Sequence, residues 1–180
     1  HMPQNVLAET ELRHLAAIPY QMISPASNSP IIGVYQDSLL GSYRFTRPNI
    51  SFTPRDAMNL LMMYSKVDAT SIRKLSESNG GKIKNFDIIS QILAPLTMKF
   101  KTKLFDEDDD DYATSNNVLE IRDGKYIRGQ MEKSVLGSTT KGIIHRIYND
   151  FGNLQASQFV DDMQNVITEY MTTSSFSVGI

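Results

Sequence analysis

Six consecutive acids, Asp106 to Asp111 (DEDDDD), are the densest set of metal-type ligands in the chain, because hard carboxylate oxygens suit magnesium or calcium. A calcium loop spaces its ligands and places a glycine in the middle, and this run does neither. Between strands, such a block of like charge reads as a solvated loop. Asn79-Gly80-Gly81-Lys82 has the flavour of a phosphate loop, but Ile83 follows where Ser or Thr is needed and no strand precedes, so it reads as a flexible connector. In Gly129-x-x-Glu132-Lys133-x-x-x-Gly137, followed by Gly142-Ile143-Ile144-His145, Lys133 could aim a point charge at a phosphate while the glycines admit a ligand or another chain. The rival reading is a surface Glu132-Lys133 pair worth well under ~1 kcal/mol, and local sequence alone favours it. Gln36-Asp37 reads first as a helix cap with a satisfied amide and second as a pair with a catalytic role. His14 and His145 stand alone on helical patterns and read as packed or solvated.

The elements that must position these residues follow from pattern. Thr10 to Ala17 puts Leu12, Leu15 and Ala16 on one face and predicts a short helix ended by Pro19. Ile31 to Tyr35 reads as a buried strand, after which Asp37 caps a helical turn that Gly41 interrupts. Thr53 is placed as an N-cap, Pro54 at the first helical position and Asp56 in the first turn of a helix of roughly three turns, with Met58, Leu61, Met62, Tyr64 and Ser65 toward its inner side. Helices over Ala69–Glu77, closed by Asn79-Gly80-Gly81, and over Phe86–Leu93, stopped by Pro95, come next.

The period then becomes two. Met98, Phe100, Thr102 and Leu104 interleave with Lys99, Lys101 and Lys103, a half-solvated strand with a basic face. Val118–Arg122, Asp123-Gly124 and Lys125–Gly129 read as a hairpin with a two-residue turn. Helices over Gly142–Phe151 and Leu154–Met171 close the chain, the latter with Phe159, Met163, Val166, Ile167 and Tyr170 on one stripe. The predicted class is α+β: helices around a small antiparallel sheet or hairpin, with a long C-terminal helix, in one segment spanning residues 1–180.

A length of 180 residues suffices for one well-buried core. The formal net charge of -2 argues against a stand-alone nucleic-acid binder, whose affinity rests on clustered cations. With no Cys, there is no disulfide framework and no thiolate zinc site, which fits a reducing compartment. No apolar run approaches the roughly 20 residues a membrane span requires, so a soluble chain with no membrane partner is expected. His1-Met2 reads as an expression remnant, and both ends read as cut from something longer.

One ordered set of residues joins these fragments. Ile18-Pro19-x-Gln21, Ser24-Pro25, Pro30, Gln36-Asp37-x-x-x-Gly41 and the closing Thr46 resemble the largest subunit of multi-subunit DNA-dependent RNA polymerases, just after its catalytic aspartate motif. Gly129-x-x-Glu132-Lys133-x-x-x-Gly137, Gly142-x-Ile144-His145 and Phe176-Ser177-x-Gly179-Ile180 fall in the same order as in the eukaryotic-type subunit. Residues 47 to 128 match loosely: the family's usual Trp-[Ser/Thr]-Gly-Lys is absent, and KNFDIISQ stands there. With the acidic run, this marks a divergent member, as from a large cytoplasmic DNA virus.

The resemblance implies a pore-domain segment that lines the channel for entering nucleotides and the backtracked RNA 3′ end, surrounded by other polymerase subunits. It places Glu132 and Lys133 toward the pore, and Ser24, Pro25, Gln36 and Asp37 structurally beneath the active centre. The catalytic aspartates are not in this sequence, so no catalytic residue, metal ligand or cofactor is assigned to it; the nucleotidyltransferase would use Mg2+ held elsewhere. Transcription in virion and host cytoplasm is expected if the source is viral, in the nucleus if it is a cellular eukaryote. Two alternatives from the residues alone are a metal-dependent phosphohydrolase using Asp106–Asp111 and a nucleic-acid module using Lys99, Lys101 and Lys103. The first needs ligands converging from separate elements. The second needs aromatic platforms beside the lysines, and Phe100 alternates to the opposite face.

Overall fold

The computed structural model describes residues 2–62, 64 and 66–179. The chain begins with α1 (Val6–Glu11), capped by Asn5, whose Oδ1 accepts from Ala8 N–H at 2.8 Å. It continues through a π-helical turn over Leu12–Ala16. The cap starts this helix four residues earlier than the apolar pattern predicts, and its apolar face is not buried: Leu7 is 78% and Leu15 64% exposed.

Strands β1 (Ile23–Ser24) and β2 (Ser29–Pro30) form a minimal antiparallel pair. The strand expected over Ile31–Tyr35 is absent. Val34 alone of that run is buried, while Ile31 is exposed, because the residues that would pair beyond Ile31 form a 3-10 turn over Ile18–Gln21 and the segment leads directly into a helix. That helix, α2 (Gln36–Phe45), runs through Gly41 without interruption. A Cβ at Gly41 would stand 2.6 Å from Ile167 Cγ2 and 2.9 Å from Met171 Cγ, so the glycine gives α8 (Asn153–Thr173) a close approach.

Strand β3 (Ser51–Phe52) precedes α3 (Pro54–Leu60), which starts as the sequence predicts: Thr53 Oγ1 accepts from Asp56 N–H at 3.2 Å and donates to the Asp56 carboxylate at 2.7 Å. The helix is two turns long, not three. Ala57, Leu60 and Leu61 form its inner side; Met58 and Met62 are exposed, Tyr64 packs half-buried, and Ser65 lies outside the described residues. α4 (Ala69–Ser78) and α5 (Asn85–Ile92) match their expected spans within one residue. Between them β4 (Ile83–Lys84) pairs antiparallel with β3.

β5 (Met98–Lys101), β6 (Val118–Arg122) and β7 (Lys125–Arg128) make one antiparallel sheet in that order. Asp123 and Gly124 adopt φ of 46° and 72°, the positive values the two-residue turn demands. Glu120 pairs with Arg128 and Ile121 with Tyr126, so Ile127 is the extra residue of a β-bulge. The one-turn α6 (Lys133–Leu136) and α7 (Ile143–Phe151) lead to α8. The predicted stripe of α8 is buried throughout and meets α2, α3, α5 and α7. At its far end Tyr170 packs edge-on to Phe45, ring centroids 5.0 Å apart, and Phe45 stacks on Phe52 at 5.6 Å.

Gly41→Leu tests the α2–α8 contact. Ile167 is fully buried and β-branched and cannot swing aside, so the variant should lose about 2 kcal/mol in urea unfolding. An unchanged unfolding midpoint would show that the two helices do not approach closely there.

Candidate functional site

Two stretches far apart in sequence, residues 22–46 and 129–149, are stitched together by hydrogen bonds. Thr46 Oγ1, fully buried, donates to Ser42 O at 2.9 Å and accepts from Met131 N–H at 2.9 Å. Val34 N–H donates to Leu136 O at 3.3 Å, and the Tyr35 hydroxyl meets Ser138 Oγ. Asn116 bridges the same region: its Nδ2 donates to Thr46 O at 3.3 Å and its Oδ1 accepts from Gly129 N–H at 3.0 Å.

The Ser24-Pro25 turn sits at one end of this seam. Asn28, at φ 48°, donates its N–H to Ser24 O at 2.8 Å, and Ile31 N–H donates to Met22 O at 2.8 Å. Ser24 is half-buried and Pro25 exposed. The Asn28 side chain reaches the His145 ring, Oδ1 to Nε2 3.5 Å, while Asn149 Nδ2 lies 3.1 Å from Nδ1. His145 is thus a packed residue in contact with the turn.

Gln36 and Asp37 do not cap by side chain. Tyr35 occupies the N-cap position, Gln36 takes φ 52° at the first helical position, and Asp37 lies exposed in the first turn, where its charge suits the helix dipole.

Glu132 stands at the N-cap position of α6, half-buried. Its Oε1 accepts from Lys103 N–H at 2.6 Å and from the Ser134 hydroxyl, so it closes the end of the β5 segment onto α6. Among the described residues no ion pair joins it to Lys133, the first residue of α6, whose side chain is exposed. The motif glycines serve the chain's own backbone. Gly129 holds φ 119°, where a Cβ would stand 2.6 Å from Leu119 Cα, and one at Gly137 would stand 2.5 Å from Lys133 O.

The acidic run folds back on itself. Asp110 accepts from Asp106 N–H at 3.0 Å, Ser115 Oγ at 2.8 Å and Asn117 Nδ2 at 2.7 Å, and these bonds, Asn117 first, lower its pKa. Asp111 accepts from Ala113 N–H and the Thr114 hydroxyl, with the same effect. Among the described residues no three acidic or His side chains gather into a metal-holding group.

Two lysines of the basic face of β5, Lys99 and Lys101, are exposed but engaged by neighbours. Lys101 reaches Glu107 at 2.9 Å and lies 4.6 Å from the Phe105 ring centroid, while Lys99 lies 4.7 Å from that of Tyr112. The aromatic neighbours that the alternation of Phe100 argued against therefore come from the acidic loop, as Phe105 and Tyr112. Glu120, buried on β6, binds Lys99 at 3.2 Å, Arg128 at 2.9 Å, and Arg122. Burial alone would raise its pKa, but the hydrogen bonds from Arg128, Lys99 and Arg122 hold it at about 2, against an ordinary 4.5.

Sequence reasoning missed Asn28, Asn116 and Glu120. Asn28 sits beside the quoted Ser24-Pro25, and Glu120 shares the Arg122 face of its strand, where the basic alternation of Lys99 and Arg128 was the signal for an acidic partner.

The residues singled out by the sequence thus mostly brace one another within one α+β unit. The chain belongs to the RNA polymerase Rpb1, domain 3 family, whose model matches residues 21–180, the pore-domain segment of the largest subunit of a DNA-directed RNA polymerase. It is 28% identical over 182 residues to DNA-directed RNA polymerase II subunit RPB1-B of Trypanosoma brucei brucei, covering 100% of this chain and 10% of that protein. DNA-directed RNA polymerase subunit 1 of Acanthamoeba polyphaga mimivirus is 29% identical over 180 residues, again with 100% of this chain and 11% of that protein covered. Subunit Rpo1N of Thermoplasma acidophilum is 30% identical over 188 residues, 100% and 21% covered. The chain thus spans about a tenth to a fifth of the relatives it matches.

Glu120 makes stability depend on pH. Its folded pKa lies below its unfolded one, so its contribution is fully present above about pH 4.5 and is lost as pH falls toward about 2. Glu120→Gln should cost about 1–2 kcal/mol at pH 7, discounted because Arg122 and Lys99 remain partly solvated, and should flatten the melting temperature between those pH values. A variant whose acid profile still parallels the wild type would remove Glu120 as its source.

Proposed function

We propose that this chain works as the non-catalytic pore segment of a complete DNA-directed RNA polymerase, lining the route by which nucleotides enter and a backtracked RNA 3′ end leaves. The single observation that carries the reading is the family match over residues 21–180. It is supported by the local geometry of Lys133, an exposed cation on a backbone fixed by the Thr46, Val34 and Tyr35 bonds. Lys133 would attract triphosphate or extruded RNA as a point charge, with Glu132 holding α6 in place behind it. Ser24, Pro25, Gln36 and Asp37 would lie beneath the active centre as supports.

In the whole enzyme Mg2+ would supply two-metal nucleotidyl transfer. The acidic run here does not fit that ion: Asp110 and Asp111 are taken up by hydrogen bonds within their own loop, and among the described residues no three acidic or His side chains converge. Partners would be the other polymerase subunits, RNA and nucleoside triphosphates. No helix among the described residues is long and apolar enough to cross a membrane. The setting would be the nucleus for a cellular eukaryotic source, or virion and host cytoplasm for a viral one.

Nucleotidyl transfer and nucleotide hydrolysis by the 180-residue chain alone should sit at background. Magnesium-dependent turnover that disappears when Asp108 to Asp111 become Asn would favour the phosphohydrolase instead. In the complete polymerase, Lys133→Ala should weaken phosphate attraction by on the order of 1 kcal/mol, roughly five-fold in elongation at limiting nucleotide or in cleavage of backtracked RNA, with melting of the isolated chain almost unchanged. Normal elongation and cleavage beside a melt several degrees lower would make Lys133 a packing residue.

A further inference from the structure

Strand β5 is an outer strand. Among the described residues the backbone of Met98–Lys101 pairs only with β6, so the groups on its other edge have no strand partner. Open edges of this kind are pairing templates unless they are blunted. This one opens onto a groove of about 490 Å³ between β5 and the start of α7. Lys99, Lys141 and Arg146 line it, and no carboxylate does.

Lys99 is shared with Glu120 and Arg146 with Asp150 at 2.6 Å, whereas Lys141 is exposed. Gly142, the N-cap of the nine-residue α7, offers no capping side chain, so the positive end of that helix adds to the same wall. Met98 and Phe100, alternating with the lysines and half-buried, provide an apolar floor.

Backbone edge, apolar alternation and cationic wall together select one kind of occupant. An RNA phosphate chain would satisfy the cations but not the peptide groups of the edge. A second copy of β5 would set Lys99 and Lys101 against their own likes, which is unfavourable for directly opposed residues. We propose that β5 accepts, as a fourth strand of about 13 Å, an extended segment of alternating acidic and apolar residues from another polymerase subunit. Only the source of that strand rests on the polymerase reading above; the capacity to bind it belongs to this chain.

The first test titrates the 180-residue chain with a blocked octapeptide of alternating Glu and Val, with its Lys-Val counterpart, and with oligouridylate of equal charge, while hydrogen exchange is followed. The Glu-Val peptide should bind at least ten-fold tighter than the other two and slow exchange at Met98–Lys101 at least ten-fold. Lys141→Glu should weaken it ten-fold at an unchanged melting temperature. Unslowed exchange at Met98–Lys101, or oligouridylate binding as tightly as the peptide, would overturn strand addition. In the complete polymerase, a photocrosslinker at Thr140 should capture an acidic stretch of a different subunit. Capture only within the same subunit would overturn the assigned source. Peptide binding that persists in a chain that never enters a polymerase would sink the polymerase reading and leave the strand site standing.

Discussion

The buried hydroxyl of Thr46 is the constraint on which the arrangement turns. It ends α2 by bonding back to Ser42 and in the same place takes the N–H of Met131, fully buried and 85 residues away. An apolar residue there would strand that amide in the core at a cost of about 1–3 kcal/mol. Val34 with Leu136, Tyr35 with Ser138 and Asn28 with His145 repeat the device along one seam. The exposed Lys133 owes its placement to that seam, because a single-turn helix such as α6 has too few internal bonds to hold itself.

Charge is handled differently. In the loop after β5, Asp106, Glu107, Asp110 and Asp111 are answered within a few residues, and Glu120 gathers three cations from its own sheet. Local neutralisation leaves the chain without a broad cationic face, in line with its formal net charge of -2. Asp162 on α8 contrasts with this economy: burial raises its pKa, and Gln158 is its hydrogen-bond donor at 2.9 Å.

Elements with two concordant local signals were legible in the sequence. The Thr53-Pro54-Asp56 start, the Asp123-Gly124 hairpin and the α8 stripe each combine a period with a cap or turn residue, and each is found where expected. Ile31–Tyr35 failed because a β-branched run has no fixed meaning without a partner strand, and the chain before β1 is a 3-10 turn over Ile18–Gln21. Gly41 failed because a glycine that breaks a helix and one that admits a neighbouring helix look identical until the neighbour is known. The Gly129-to-Gly137 stretch was recognisable as a motif, but not that its glycines face their own chain, since Leu119 is ten residues upstream and reaches Gly129 only through the hairpin.

The bulge and the seam also bear on how the molecule is made. Met22 to Thr46 leaves the ribosome ahead of its partners, and the amide that completes Thr46 is synthesised 85 residues later. At about 5–20 residues per second that is a wait of roughly 4–17 seconds. During it Phe45, Val34 and Met22 have no finished core to enter, and the nascent chain carries them exposed. The α5 helix and the β5–β6–β7 sheet, whose contacts are made between nearer neighbours, can form within that interval and give the early segment a surface on which to settle.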